Sequence, residues 1–172
     1  ATSWLYQSAT TFIATTGERL RQQLIKHNGF DPARITSVPT GIDTDRFVPG
    51  NRTIARGQLN LPLAAPIVGI VATLRSWKGH VYLLEAFARL TDTNALLLIV
   101  GDGPQRDNLE KEITRLNLTG RVFMPGNQRD VTPWLHAMDV FVLPSYANEG
   151  VPQALMQAMA CGLPVISTPI GS

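Results

Sequence analysis

Residues 67–100 read I-V-G-I-V-A-T-L-R-S-W-K-G-H-V-Y-L-L-E-A-F-A-R-L-T-D-T-N-A-L-L-L-I-V, and their rhythm decides the fold. Ile67 to Ala72 is an apolar run too short for a helix, which predicts a buried strand. Gly79 to Leu90 repeats apolar residues at helical spacing, and Ala95 to Val100 is a second apolar run. The alternation continues with a helix over Gln105 to Leu116, a strand over Val122 to Met124, a short helix over Val131 to His136 and a strand over Val140 to Leu143. Strands that alternate with helices predict the α/β class, a parallel sheet with helices on both faces. In such sheets ligands bind at the carboxyl ends of the strands, so the loops that leave those ends are the place to look for chemistry.

Downstream, residues 144–162 read P-S-Y-A-N-E-G-V-P-Q-A-L-M-Q-A-M-A-C-G. Pro144 stops the preceding strand by removing a ladder donor. Pro152 suits the first helical position and Gly162 the left-handed residue past the end, which predicts a helix from Pro152 to Cys161. Its residues are nearly all apolar, so burial on most sides is expected. Gln153 and Gln157 share one face, toward which Glu149 can point. Two readings stay open: a solvated polar stripe with Glu149 as a cap, or a polar ligand against the helix N-terminus, where free N–H groups and the dipole favour an anion.

Upstream, Phe12 to Thr15 predicts a strand. Gly17 to Asn28 predicts a helix with Leu20, Leu24 and Ile25 inward and Gly29 past its end. Ile35 to Val38 is another short strand, followed by a turn-rich stretch from Val38 to Gly50 that marks a domain boundary. Thr53 to Asn60 reads as a short helix.

Fifteen basic and thirteen acidic residues leave a net charge of +2, and the basic residues are scattered, so no nucleic-acid partner is indicated. The single cysteine, Cys161, excludes an intrachain disulfide framework and reads as a buried structural thiol. No apolar run reaches the length of a membrane-spanning helix and no signal peptide opens the chain, which points to the cytoplasm. The abrupt ends suggest a piece of a longer protein.

Among the loops, Thr73 to His80 carries Arg75 and Lys78 beside a helix start. Cations there oppose the helix dipole unless an anion lies between; the alternative is two surface cations around Trp77. Gly101-Asp102-Gly103-Pro104 superficially matches a dinucleotide fingerprint, but Arg106 stands where the third glycine belongs, so a tight turn with Asp102 near the cap is favoured. Gly101 and Gly103 still permit close approach to the backbone. Pro125 to Asp130, with Gly126, Asn127 and Gln128, offers polar groups to a flat base or is only a connection. His136 reads as a satisfied core histidine. His27 and His80 have no partner at metal-ligand spacing, so no metal site is inferred.

Five pieces in order, V-P-T-G-I-D at Val38 to Asp43, W-K-G-H at Trp77 to His80, G-D-G-P at Gly101 to Pro104, L-P-S at Leu143 to Ser145, and E-G-V-P with A-M-A-C-G-L-P-V between Glu149 and Val165, resemble retaining glycosyltransferases of the GT-B fold, family-four (group 1) type. The resemblance runs from about Phe12 to Gly171. It implies that residues 1–37 are the tail of an N-terminal acceptor-side domain, 38–66 an interdomain and entry segment, and 67–172 a Rossmann-like donor-binding domain truncated at its C-terminal end. It implies a nucleoside-diphosphate sugar as donor, with no other cofactor. Glu149 would bind donor-sugar hydroxyls. Lys78, helped by Arg75 and by the helix start at Gly150, Val151 and Pro152, would bind the diphosphate. The loop Gly126 to Gln128, near Gly101 and Gly103, would receive the base, and Gln157 the ribose.

Three positions depart from the family's pattern. Gln157 stands where a glutamate is usual, Thr73 where a phosphate-binding arginine is usual, and Thr40 in place of a common asparagine. A glycan or lipid-linked acceptor would be met through the missing N-terminal domain, with peripheral membrane association of the longer protein at the inner face. The fragment alone is then expected to be inactive. Two further readings follow from the same residues: a nucleotide- or sugar-binding module that has lost catalysis, and a GT-B nucleotide-sugar epimerase.

Overall fold

The structure is a computed structural model that describes residues 8–169. Gly171 and the exit loop expected up to Ser172 lie outside those residues. Contacts divide the chain into two compact units. One holds the stretch up to Gly41 together with Glu149–Gln153; the other holds Ile42–Asn148 and the chain from Ala154 onward.

In the first unit, β1 (Ile13–Thr15) and β2 (Ile35–Ser37) pair in parallel, with Ile13 opposite Ile35 and Thr15 opposite Ser37. Helix α1 (Glu18–Asn28) connects them and ends at Gly29, whose φ of 68° lets its N–H reach back to the Leu24 carbonyl. Arg21 Nε donates to the Ile35 carbonyl at 2.9 Å and ties helix to strand. Of the residues expected to face inward, Leu24 and Ile25 are half-buried, while Leu20 is corrected: it is 39% exposed, and α1 has no fully buried residue. A two-stranded sheet offers a helix too little surface to bury its apolar stripe.

The second unit is a five-stranded, all-parallel sheet in the order β5-β4-β3-β6-β7. In chain order its elements are α2 (Arg52–Gln58), β3 (Ile67–Val71), α3 (His80–Ala88), β4 (Leu96–Val100), α4 (Arg106–Arg115), β5 (Val122–Gly126), α5 (Thr132–Ala137), β6 (Val140–Leu143), α6 (Gln153–Ala160) and β7 (Val165–Ser167). Every residue of β4 is buried, because the strand has a neighbour on each side and a covered surface above and below. This is why it reads L-L-L-I-V without alternation. β3 pairs with β4 along its whole length but with β6 only at Val68↔Val140 and Gly69↔Phe141. A Cβ at Gly69 would meet the Met138 sulfur at 2.2 Å, so any larger residue there displaces the buried Met138 side chain.

Helix α6 begins at Gln153, one residue after Pro152, and ends before Gly162, whose φ is 77°. The expected burial on most sides is corrected. Only Ala158 is fully buried and Met159 is 57% exposed. Ala154 and Leu155 pack against the core beside Ala158. β7 is the sheet edge and all three of its residues are exposed. A helix beside such an edge needs one apolar stripe, not an apolar circumference.

The amino end of the sheet is held by a charge cluster. Arg56 is 2% exposed. Its guanidinium donates to the carbonyls of Ala137 (2.9 Å), Leu63 (2.8 Å) and Ala65 (3.0 Å) and to Asp139 Oδ2 (2.7 Å). The same carboxylate oxygen accepts from Ile67 N at 2.7 Å, and Asp139 Oδ1 pairs with Arg52. One aspartate thus joins α2, the first residue of β3 and the entry to β6.

Candidate functional site

In the second unit, successive strands run outward from β3 to β4 and β5, and the chain then returns to the other side of β3 to place β6. The switch in strand order therefore falls between β3 and β6, and open parallel sheets bind ligands at the carboxyl ends of the strands beside such a switch. The β3 loop carries Arg75 and Lys78. Ser76–Lys78 forms a single 3-10 turn, with Lys78 N donating to the Arg75 carbonyl at 3.1 Å and Gly79 N to the Ser76 carbonyl at 3.2 Å. Gly79 closes it in the left-handed region at φ 75°, and a Cβ there would lie 2.1 Å from the Pro144 carbonyl oxygen. Tyr146 N donates to the Trp77 carbonyl at 2.9 Å, so the two loops are also joined through their backbones.

Arg75 is exposed and lies over the Trp77 ring at 5.7 Å, and Lys78 is half-buried. The indole therefore supports the arginine in a fixed place near the α3 N-terminus.

The G-D-G-P turn has the tight form expected. Asp102 Oδ1 accepts from Gly103 N at 2.7 Å. Leu74 N donates to the Asp102 carbonyl at 3.0 Å. What the two glycines admit is the β3 exit itself: a Cβ on Gly101 would meet the Ala72 carbonyl oxygen at 2.1 Å, and one on Gly103 the Leu74 carbonyl oxygen at 2.7 Å. Gly101 N donates to the Gly126 carbonyl at 2.9 Å, and Gln128 Nε2 to the Pro125 carbonyl at 3.0 Å. These bonds shape a cleft of about 350 Å³ whose walls include Thr73, Gly101, Asp102, Asn127 and Gln128. It is large enough for a heterocyclic base and a sugar, with backbone and amide groups that can read both.

Of the residues singled out in the sequence, Gly101, Asn127 and Gln128 meet in this cleft, and Gly103 and Gly126 shape the turns beside it. Arg75 and Lys78 occupy the adjoining loop. Glu149, Gly150, Val151 and Pro152 group with the first unit. Gln157 is half-buried on α6. His136 is satisfied by the Val48 carbonyl, at 2.8 Å from its Nε2, but is half-buried, not a core residue. Cys161 is buried as expected, and burial raises its thiol pKa.

Sequence reasoning passed over His80. It is 2% exposed, and its ring nitrogens make no hydrogen bond of full geometry, although one approaches the Arg75 backbone closely enough for a weak one. Burial pulls its pKa from 6.5 down to about 4; that weak hydrogen bond to the Arg75 backbone opposes the fall and the Lys78 cation adds to it. Between pH 4 and 6.5 the unfolded chain binds a proton at this site that the folded chain does not. Stability from His80 is therefore full above pH 6.5 and is expected to fall, by on the order of 3 kcal/mol, as pH drops through that window to about 4. Urea midpoints measured against pH check this, and His80→Phe should flatten that part of the curve.

Comparison with known proteins places this geometry. The D-inositol 3-phosphate glycosyltransferase of Mycobacterium tuberculosis is 33% identical over 171 residues, 95% of this chain and 35% of that protein. The crystal structure of Anabaena Alr3699/HepE in complex with UDP-glucose superposes with a TM-score of 0.87 at 26% identity, covering 98% of this chain and 48% of that one. Sucrose-phosphate synthase from Thermosynechococcus elongatus superposes with a TM-score of 0.82 at 28% identity over 98% of this chain and 44% of the other. The chain thus spans about a third of the length of the curated relative and about half that of the solved ones. Its sheet is the Rossmann-like α/β sheet of GT-B glycosyltransferases. Residues 51–172, from the entry of α2 through the loops after β3 and β6, match the family model described as glycosyl transferases group 1, and the chain belongs to that family.

Proposed function

We propose that this chain supplies the donor-binding part of a retaining glycosyltransferase that moves a sugar from a nucleoside-diphosphate sugar to an acceptor hydroxyl. The observation that carries the reading is the cleft at the carboxyl ends of β3, β4 and β5, lined by Thr73, Gly101, Asp102, Asn127 and Gln128. Two cations on a backbone-anchored loop stand beside a cleft fit for a base. In transfer, the bond from the anomeric carbon to the diphosphate breaks and negative charge grows on the departing phosphate. Lys78 and Arg75 stabilise that charge from fixed positions, so little reorganisation is needed as the bond breaks. The acceptor oxygen bonds to the same face of the anomeric carbon, and its proton passes to the departing diphosphate oxygen. The family resemblance assigns Glu149 to the donor-sugar hydroxyls and Gln157 to the ribose. An amide at position 157 still donates and accepts hydrogen bonds. HepE, a similar protein, is known in complexes with UDP and with UDP-glucose, which supports a diphosphate donor here.

Calorimetric titration with UDP, GDP and ADP tests the reading, with one of the three expected to bind and binding of none overturning it. Lys78→Ala should weaken that diphosphate about 10- to 100-fold, the loss of one charge-assisted contact of about 1.5–3 kcal/mol, while leaving the affinity of the parent nucleoside unchanged. A second reading, a binding module without catalysis, is favoured by Gln157 and by Thr73 in the cleft wall. Transfer by the longer enzyme that disappears in Glu149→Ala and Lys78→Ala would exclude it.

A further inference from the structure

The loop after β5 lines the cleft with Asn127, Gln128 and Val131, and it is fastened at three places. At its start, Gly101 N donates to the Gly126 carbonyl at 2.9 Å. Within it, Gln128 Nε2 donates to the Pro125 carbonyl at 3.0 Å. At its end, Arg46 Nη2 donates to Asp130 Oδ1 at 2.6 Å, across 84 positions of sequence. Among the described residues, no backbone–backbone hydrogen bond is made by residues 127–130. The third fastening is therefore one of side chains, and it comes from a segment outside the sheet.

The two side chains of this ion pair are 47% and 55% exposed. Pairs so exposed ordinarily contribute little, because ordering two flexible side chains offsets the attraction. Here other contacts order both partners. Phe47 is buried in the core, and the Arg46 guanidinium lies over its ring at 5.1 Å. The backbone beneath is a closed turn: Asp43 Oδ1 accepts from Asp45 N at 3.0 Å and from Arg46 N at 3.1 Å, and Phe47 N donates to the Asp43 carbonyl at 3.0 Å. Opposite, Asp130 Oδ1 also accepts at 3.0 Å from the N–H of Thr132, the first residue of α5. The arginine is thus held by the core and the aspartate by the helix that follows it.

We propose that Arg46 and Asp130 are positioning residues for the donor base: their pair fixes the end of the loop so that Asn127 and Gln128 present their amides to the heterocycle in the cleft. The inference rests on the donor reading above and goes beyond it, because neither residue lines the cleft and each acts through the loop. An amide reads a base only when its donor and acceptor stand at hydrogen-bond distance, a range of a few tenths of an ångström. Asp130 lies between Gln128 and Val131, two of the residues that line the cleft, so the pair sets the loop where that distance is decided. The cations assigned to the diphosphate stand on the loop after β3, so the pair acts on the base and not on the phosphates.

The test is a double-mutant cycle. Wild type, Arg46→Ala, Asp130→Asn and the double variant are titrated by calorimetry with UDP, GDP and ADP and with their nucleosides. Asparagine keeps an acceptor for Thr132 N and removes only the charge, so this variant separates the pair from the helix start and decides the matter should Arg46→Ala not fold. Each single variant should weaken the diphosphate that binds, and its nucleoside, by the same factor of about five, which is about 1 kcal/mol. The double variant should lose no more than either single one, and Arg46→Lys, which keeps the charge, should recover part of the loss. Unchanged affinity in the single variants overturns the inference and leaves the donor reading standing. Losses that multiply in the double variant, or a loss for the diphosphate with the nucleoside unchanged, do the same. Absence of diphosphate binding by the wild type overturns the donor reading and this inference with it.

Discussion

Arg56→Ala is expected to lower the free energy of unfolding by about 3–5 kcal/mol, the range for removing one partner of a buried ion pair. At this chain length, that lowers the thermal midpoint by roughly 10 °C or more. The guanidinium is 2% exposed and makes four hydrogen bonds, three to backbone carbonyls and one to Asp139. Alanine leaves the Ala137, Leu63 and Ala65 carbonyls short of the donor they share. Burial lowers the Arg56 pKa and the Arg52 cation lowers it further, but an arginine so placed stays charged, so its removal leaves Asp139 with one buried counter-charge fewer. Arg56→Lys separates charge from shape. A lysine ammonium keeps the pairing with Asp139 but cannot reach carbonyls on both sides of a planar fork, and roughly half of the loss is expected. Urea denaturation of the three proteins checks both values. A loss under 1 kcal/mol for Arg56→Ala would mean the cluster is incidental.

The second large effect belongs to Gly79. Its φ of 75° costs an ordinary L-residue roughly 1 kcal/mol, and an added Cβ would lie 2.1 Å from a backbone carbonyl oxygen that no side-chain rotation can move. Gly79→Ala should therefore destabilise the chain by about 3 kcal/mol, strain and overpacking together. It should also displace the Ser76–Lys78 turn, so that diphosphate binding is lost. Gly120 provides the control. Its φ is 81° but nothing lies within 4 Å of the position of an added Cβ. Gly120→Ala should show only the conformational part and leave binding intact. If the two variants lose the same amount, the contact with Pro144 does not hold the loop.

The sheet was legible because its signals are local. The run L-L-L-I-V at the centre, the glycines past the helix ends and the proline after β6 each act within a few residues of themselves. The same alternation pointed to the loops at the carboxyl ends of the strands, while the order β5-β4-β3-β6-β7 is seen only in the structure. What the sequence did not disclose depends on distant partners. Arg56 reads as a surface cation on a weak helix until Ala137 and Asp139 are brought to it across more than eighty positions. His80 has no polar neighbour in sequence that announces its burial. The outward faces of α1 and α6 were misjudged because apolar content says how much surface a helix can bury, not how much its neighbours cover. Gly101 and Gly103 drew attention as points of ligand approach, and the chain that approaches them is the β3 exit.

The short pairing of β3 with β6 has a mechanical consequence. Register between them ends at Gly69 and Phe141, and the next link lies past the strand ends, where Gly79 meets Pro144 and Trp77 meets Tyr146. The Asp139 carboxylate, which accepts from Ile67 N while standing at the root of β6, fastens the two strands at their amino end, as the loop contacts do beyond their carboxyl ends. Loss of either fastening leaves β6 joined to β3 by two register pairs, Val68↔Val140 and Gly69↔Phe141.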